Sequence, residues 1–308
     1  MGAKIPLGLR TSADPTPKLS ALNTAINLSE YDVPGRGRGI LDVFQWGYLL
    51  RLLVRKGTAT RYRNSVLGWT WSYVKPAAQF AVYYFVMGIV LRAHDDVQYF
   101  AIYLFAGVVI VNLFNEAFGN ATDSIVANGS LVRKIYLPRE LFPIAAIIVA
   151  LIHFLPQLAV LLLVCIVVGW TPTFAALGAV LLGTVIVVTF ALGLGLFFSG
   201  LNVRFRDVQN FVEIIRMFST WTSPVLYLWT FVAATLPAWA FGIYMMNPLT
   251  IAVELFHVGF WEQTVTQSHG LPPAFWEYAA IAMGICVAML FIGQFTFRRF
   301  ERSFAQDL

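Results

Sequence analysis

Groups able to move a proton or hold an ion are scarce in the apolar parts of this chain, so each one is conspicuous. Glu116 lies with Asn112 and Asn115 toward the end of one hydrophobic run, and His153 lies in the next, one turn before Pro156. A carboxylate and an imidazole are costly to place there, which makes each a functional candidate by default. Together they could serve a proton-coupled transporter, although a satisfied polar contact between helices explains them more simply. Secondary transporters place several such groups at mid-membrane on broken helices; two isolated groups fall short of that pattern. Catalysis has less still to work with. There is no GxxxxGK[ST] phosphate loop, no HExxH and no recurring pair of carboxylates at one depth. Cys165 and Cys286 each stand alone within apolar sequence, without metal-ligand or disulfide spacing, and read as small core residues. No metal site is expected.

Contact chemistry is better represented. "SLVRKIYLPREL", residues 130–141, sets a basic pair, an aromatic ring, a proline and an Arg-Glu dipeptide between two apolar runs. That order is more structured than a connector requires. A second basic stretch, "WGYLLRLLVRKGTATRYRNSVLG" at 46–68, places Trp46, Leu49 and Leu53 on one helical face and Arg51 and Arg55 opposite. It reads as an amphipathic helix in the headgroup layer. "LNVRFRDV", 201–208, is a tight turn with two arginines and an aspartate.

The elements that must carry these residues follow from composition. The chain has 308 residues, 58% hydrophobic and 12% charged, with a mean hydropathy of +0.71. Soluble domains carry about 25% charged residues, so this balance points to lipid. Runs near 76–91, 99–118, 141–168, 174–200, 208–231 and 274–297 are candidate spans, each near the length of about 20 residues that a bilayer demands. The fifth is the weakest, since Glu213 and Arg216 lie in its first turns. With six spans and an inner N-terminus, all of the 21 Lys and Arg except Arg92 fall on one side. The positive-inside rule then makes both termini cytoplasmic. The basic balance reflects this topology and anionic lipid; no basic stripe carries the interleaved rings of a nucleic-acid surface.

Residues 1–45 are rich in Pro, Gly, Ser and Thr and read as a flexible cytoplasmic tail. An interfacial helix at 46–68, a membrane domain at 69–300 and a short cytoplasmic end at 301–308 complete the organisation. Trp69, Trp71 and Tyr73 form an interfacial belt before the first span. "GLGLFFSG", 193–200, offers small residues for close helix packing. Residues 232–270 are too apolar for an outer loop, yet Pro237, Gly242, Pro248 and Gly259 interrupt them. Two short re-entrant helices fit, provided protein or water satisfies the turn. The expected fold is an all-α membrane protein of six spans.

At "RYRNSVLGWTWSYVKP" (61–76), "SIVANGSLVRKIYLPRELFP" (124–143), "LNVRFRDV" (201–208) and "TSPVLY…NPLT" (222–250), the chain resembles the membrane subunits of ATP-binding-cassette exporters for lipid-linked polysaccharides. These move O-antigen, teichoic acid, capsule or mycobacterial galactan. The resemblance runs from about residue 46 to 300. It implies that the loop near 128–140 is a coupling helix held in a cleft of an ATPase subunit, through Leu131, Arg133, Lys134, Ile135, Tyr136, Pro138, Arg139 and Glu140. A short helix in a groove is a recurrent mode of recognition. It further implies a cytoplasmic entrance for a polyprenyl pyrophosphate glycan, bordered by Arg51, Arg55, Arg61, Arg63, Arg204 and Arg206, whose guanidinium forks suit phosphate oxygens. Trp221, Tyr227, Trp229, Trp239, Phe241 and Tyr244 would line the channel and its outer gate, where sugars slide over rings; a lipid-facing belt is the plainer reading of any single ring.

The resemblance thus implies a multi-pass plasma-membrane permease, paired with itself and with two ATPase subunits. ATP and magnesium would belong to those partners, with no cofactor and no catalysis in this chain. Abundant Ala and Val, and arginine favoured over lysine, suit a high-GC actinobacterium and make galactan the specific expectation. The alternatives are an exporter of small molecules or drugs from the same superfamily, and a membrane enzyme of polyprenyl-phosphate metabolism. The latter needs a carboxylate or histidine cluster facing phosphate.

Overall fold

Every regular element among the described residues is helical, as near-continuous apolar sequence demands: a backbone amide in hydrocarbon must bond within its own segment. The computed structural model of the chain describes residues 43, 45–61, 65–66, 68–134, 137–266, 270–301 and 304–307. The expected N-terminal tail lies almost wholly outside them.

Helix α1, Gly47–Arg61, is the amphipathic element, with Leu49 and Leu53 half-buried and Arg51 and Arg55 exposed. Helix α2, Trp71–Tyr83, runs on as a π-helical segment, Tyr84–Val90, through a helical Tyr84. Together they cover the expected first span, and at about 1.5 Å per residue the pair reaches about 30 Å. Helix α3, Phe100–Ala127, is followed by the short α4, Gly129–Lys134, and by α5, Leu141–Val168. Gly169 stops α5 at φ 96°, a left-handed setting that glycine adopts freely. Thr173 opens α6, Phe174–Asn202, by accepting the Ala176 amide at 3.1 Å.

Helices α3, α5, α6 and α11 (Phe275–Glu301) are each long and apolar enough to cross a membrane. They match four of the expected spans. The fifth expected span does not form as one helix. Over 208–231 the structure has α7, Val208–Ser219, then turns, then α8, Trp229–Thr235. Pro224 lacks an amide proton and disfavours helix at Ser223. The freed carbonyls also have partners elsewhere. Tyr103 directs its hydroxyl at the carbonyls of Pro224 (2.9 Å) and Tyr227 (2.8 Å). Asn247 and Thr250 reach the carbonyl of Thr222 at 3.2 and 3.4 Å.

The expected outer segment contains two helices, α9, Ala238–Met245, and α10, Pro248–Phe256, which continues as a π-helical turn to Trp261. They are bent by 75°, a geometry open to a broken span or a re-entrant loop. Asn247 caps α10 by accepting the Leu249 amide, and Pro248 takes the first helical position. A last turn, α12, spans Phe304–Asp307.

Helix α3 is the centre of the bundle, with 72% of its most apolar stretch buried against α5, α6 and α10. The long contact of α6 with α11 depends on two glycines. A Cβ at Gly293 would stand 2.1 Å from the carbonyl oxygen of Gly193. The small residues of "GLGLFFSG" do permit close helix approach: a Cβ at Gly195 would lie 2.5 Å from that of Ala121. By contrast α5 and α11 turn Leu163, Val167, Phe291 and Phe295 outward. Apolar faces of that extent suit contact with lipid.

Candidate functional site

On α3, Asn112, Glu116 and Asn120 recur every four residues, and Asn115 and Asp123 fall beside them, so helical geometry alone gathers them on one face. The structure turns that face toward His153 and Gln157 of α5, Arg216 of α7, and Ser72, Lys75 and Gln79 of α2. With Ser65, Trp71 and Pro76, all of these side chains except Asp123 line an open cavity of about 560 Å³. Glu116 and His153 meet there, Oε1 to Nδ1 at 2.6 Å, with the imidazole almost fully buried. Ser219 donates to Asn115 Oδ1 at 2.9 Å. The guanidinium of Arg216 lies over Gly119, where any Cβ would approach Nη1 to 2.8 Å. The stripe on α3 was the available sequence signal. Asn120 and Asp123 continue it beyond the apolar run that holds Asn112, Asn115 and Glu116, and Arg216 in sequence argues only against a span.

Arg133 and Lys134 point outward from α4, and Leu131 is half-buried. Ile135 and Tyr136 lie outside the described residues. The remainder of the loop faces the protein. Val132 and Leu137 enter a small core with Leu141, Phe142, Phe297 and Phe304. Glu140 is buried and accepts from Gln294 at 2.9 Å. Half-buried Arg139 donates to the carbonyl of Glu301 and covers the Phe304 ring at 5.5 Å. Pro138 between them is half-buried. Lys56 of α1 holds the start of the loop by donating to Asn128 Oδ1 at 2.7 Å. The expected contact residues therefore divide into an outward set and an anchoring set.

Of the expected entrance, Arg51 and Arg55 are exposed on α1, while Arg204 and Arg206 are exposed on the turn after α6. Arg204 lies 5.7 Å from the Phe205 ring centre. Arg63 and the side chain of Arg61 fall outside the described residues. The expected channel rings separate too. Trp229, Phe241 and Tyr244 form a row, with centroids 6.5 and 6.3 Å apart. Trp229 donates to the carbonyl of Gly270 at 3.2 Å, and Tyr227 to that of Trp221 at 2.7 Å. The Trp221 and Trp239 rings are exposed. Tyr103, missed in the sequence, is the buried hub behind this region: it stacks on His257 at 3.8 Å and meets Trp261 edge-on at 5.2 Å.

Comparison with known proteins follows the same stretch of chain. The model of the ABC-2 type transporter family matches residues 48–261. An O-antigen export system permease protein, RfbA, of Klebsiella pneumoniae is 26% identical over 268 residues, covering 86% of this chain and 98% of its own. A second RfbA from that organism is 29% identical over 60% of this chain and 71% of its own. The RfbA of Myxococcus xanthus is 25% identical over 88% of this chain and 99% of its own.

Proposed function

The chain belongs to the ABC-2 type transporter family, and from that premise we propose that it is the permease of an exporter for polysaccharide assembled on a polyprenyl pyrophosphate. The observation that carries this reading is its likeness to O-antigen export permeases over 98% and 99% of their length. The permease works as a pair in the plasma membrane with two separate ATPase subunits, which bind the ATP and magnesium. It does no bond chemistry itself. Both termini are cytoplasmic, α7 and α8 stand where a single fifth span was expected, and α9 with α10 dips in from the outer face.

The mechanism follows from how the loop at 128–140 is held. Leu131, Arg133, Lys134, Ile135 and Tyr136 form the face that meets the ATPase. Pro138 stiffens the segment behind them by fixing its own φ. Arg139 and Glu140 act from behind that face, joining the loop to α11 and α12. A push on α4 therefore moves the ends of α3, α5 and α11 together. Arg51, Arg55, Arg61, Arg63, Arg204 and Arg206 receive the pyrophosphate at the headgroup level. The glycan then passes toward the rings of Trp221, Tyr227, Trp229, Trp239, Phe241 and Tyr244. Galactan remains the specific cargo in this reading, and galactofuranosyltransferase genes beside this one would support it.

The test is the double variant Tyr136→Ala, Arg139→Ala in the complete complex. The complex is expected to assemble and hydrolyse ATP while export stops and lipid-linked glycan accumulates in the cytoplasm. Normal export in that variant would overturn the assignment of the loop. Normal export in cells lacking the permease would overturn the function.

A further inference from the structure

We propose that the polar cavity among α2, α3, α5 and α7 is a carbohydrate subsite that holds sugar residues of the exported chain through their hydroxyls. The proposal rests on the export reading above and adds to it a site separate from the arginine entrance and the outer rings.

At about 560 Å³ the cavity falls within the range of about 300–1,000 Å³ usual for small-molecule sites. Its walls mix donors and acceptors in place of one sign of charge. Two buried atoms in the wall, of opposite character, have no hydrogen-bond partner among the described residues. Gln157 Oε1 is an acceptor on a residue 6% exposed, and Arg216 Nε is a donor. Gln157 is oriented by its own Nε2, which donates to the His153 carbonyl at 3.4 Å. Leaving such groups unmade costs about 1–3 kcal/mol each. A sugar hydroxyl both donates and accepts, so it can meet each of them. A phosphate only accepts. It would also confront the carboxylate of Glu116, which His153 holds in the wall at 2.6 Å. Lys75 and Arg216 would draw an anion, but the acceptor Gln157 Oε1 and the Glu116 carboxylate both oppose one, and a neutral polyol satisfies donors and acceptors alike. At the rim Trp71 offers a partly exposed ring, 37% accessible, against which a sugar C–H face can lie.

The wall also extends beyond one sugar. Asn120 lines this cavity and two others, one of about 520 Å³ against Lys56 and Thr60 of α1 and one of about 190 Å³ beside Gln209 and Glu213 of α7. Cavity space therefore leads from the amphipathic helix inward, with Lys56, Thr60 and Asp123 set beside an apolar wall of Leu53, Phe142 and Val149, which suits a chain threaded residue by residue. Amide and hydroxyl contacts of this kind are individually modest, so the polymer can be held in register and still released.

The test uses the permease with its ATPase subunits in lipid nanodiscs. The probe is lipid-free oligosaccharide cut by mild acid from the glycan that the cells export. Saturation-transfer NMR and titration are expected to show binding to the unaltered complex, with inorganic pyrophosphate failing to displace it. Asn112→Leu and Arg216→Gln are each expected to weaken binding about tenfold, the equivalent of one hydrogen-bonding contact. Should Arg216→Gln fail to assemble, Asn112→Leu decides. Displacement by pyrophosphate, no binding to the unaltered complex, or equal binding in the variants would overturn the subsite, the cavity then holding only water. If export is lost on deletion of the permease but fragment binding ignores both substitutions, the subsite falls and the export reading stands.

Discussion

Where α7 gives way to turns, the chain stays packed while its carbonyls lose their helical partners, and single side chains decide whether that is tolerable. Tyr103, 1% exposed, serves the carbonyls of both Pro224 and Tyr227. Tyr103→Phe keeps the ring and its stacking on His257 but removes the donor. We expect a loss of about 1–3 kcal/mol, measured as a lower thermal unfolding midpoint in detergent. An unchanged midpoint would mean that water already serves those carbonyls. This tyrosine was invisible in the sequence because its partners lie more than a hundred positions along the chain. The polar stripe on α3 was legible, since Asn112, Glu116 and Asn120 are related by helical geometry alone. What the stripe faces was not: His153, Gln157 and Arg216 come from two other helices. Glu116 and His153, expected either to serve a proton path together or to make polar contacts between helices, are bonded directly to each other. Replacing both with Leu is expected to destabilise the protein by less than the sum of the two single replacements, because the two side chains share one hydrogen bond. Chemical denaturation of the three variants checks this.

At the scale of elements, stretches of hydropathy located the long helices well. The run at 141–168 is α5 to the residue, and those at 99–118, 174–200 and 274–297 lie within α3, α6 and α11 but for a residue or so at their starts. The run at 208–231 misled because mean hydropathy is blind to a break whose carbonyls are bonded from elsewhere. Contact between helices was legible only where it depends on size. In lipid no hydrophobic force drives one helix onto another, so close packing must do so, and small residues mark the sites. Gly293→Val is expected to force α11 from α6, since even a Cβ would overlap the Gly193 carbonyl. Size-exclusion of the detergent-solubilised variant should show loss of the folded species. A folded variant of normal stability would mean that the two helices have freedom to slide. The same reasoning applies at the other end of α11. Phe304, with no exposed surface, packs edge-on against Phe297 at 5.4 Å beneath Arg139. Truncating it to Ala should remove about 3 kcal/mol or more of packing and expose the last residues to protease.

At the scale of the molecule, burial is concentrated on α3 while α5 and α11 bury only 28% and 22% of their most apolar stretches. Those outward faces are available to lipid and, in the paired arrangement proposed above, to a second copy of the chain; sequence alone does not apportion them because both surfaces are apolar. Native mass spectrometry of the complex released from nanodiscs is expected to give two permeases with two ATPase subunits; a stable species with one permease would sink the paired arrangement. The apolar runs were enough to specify a membrane protein, whereas the class of partner came from the family resemblance alone. How the helices are shared between interior and exterior required the fold. Helix α10 stands at the extreme of that division, since all nine of its residues, Pro248–Phe256, are buried. A helix without an outward side has no position at which drift is free. In a saturating mutational scan, tolerance elsewhere should rise and fall with the helical period, but here it should stay flat and low. Descendants of this gene should therefore diverge last over these nine codons.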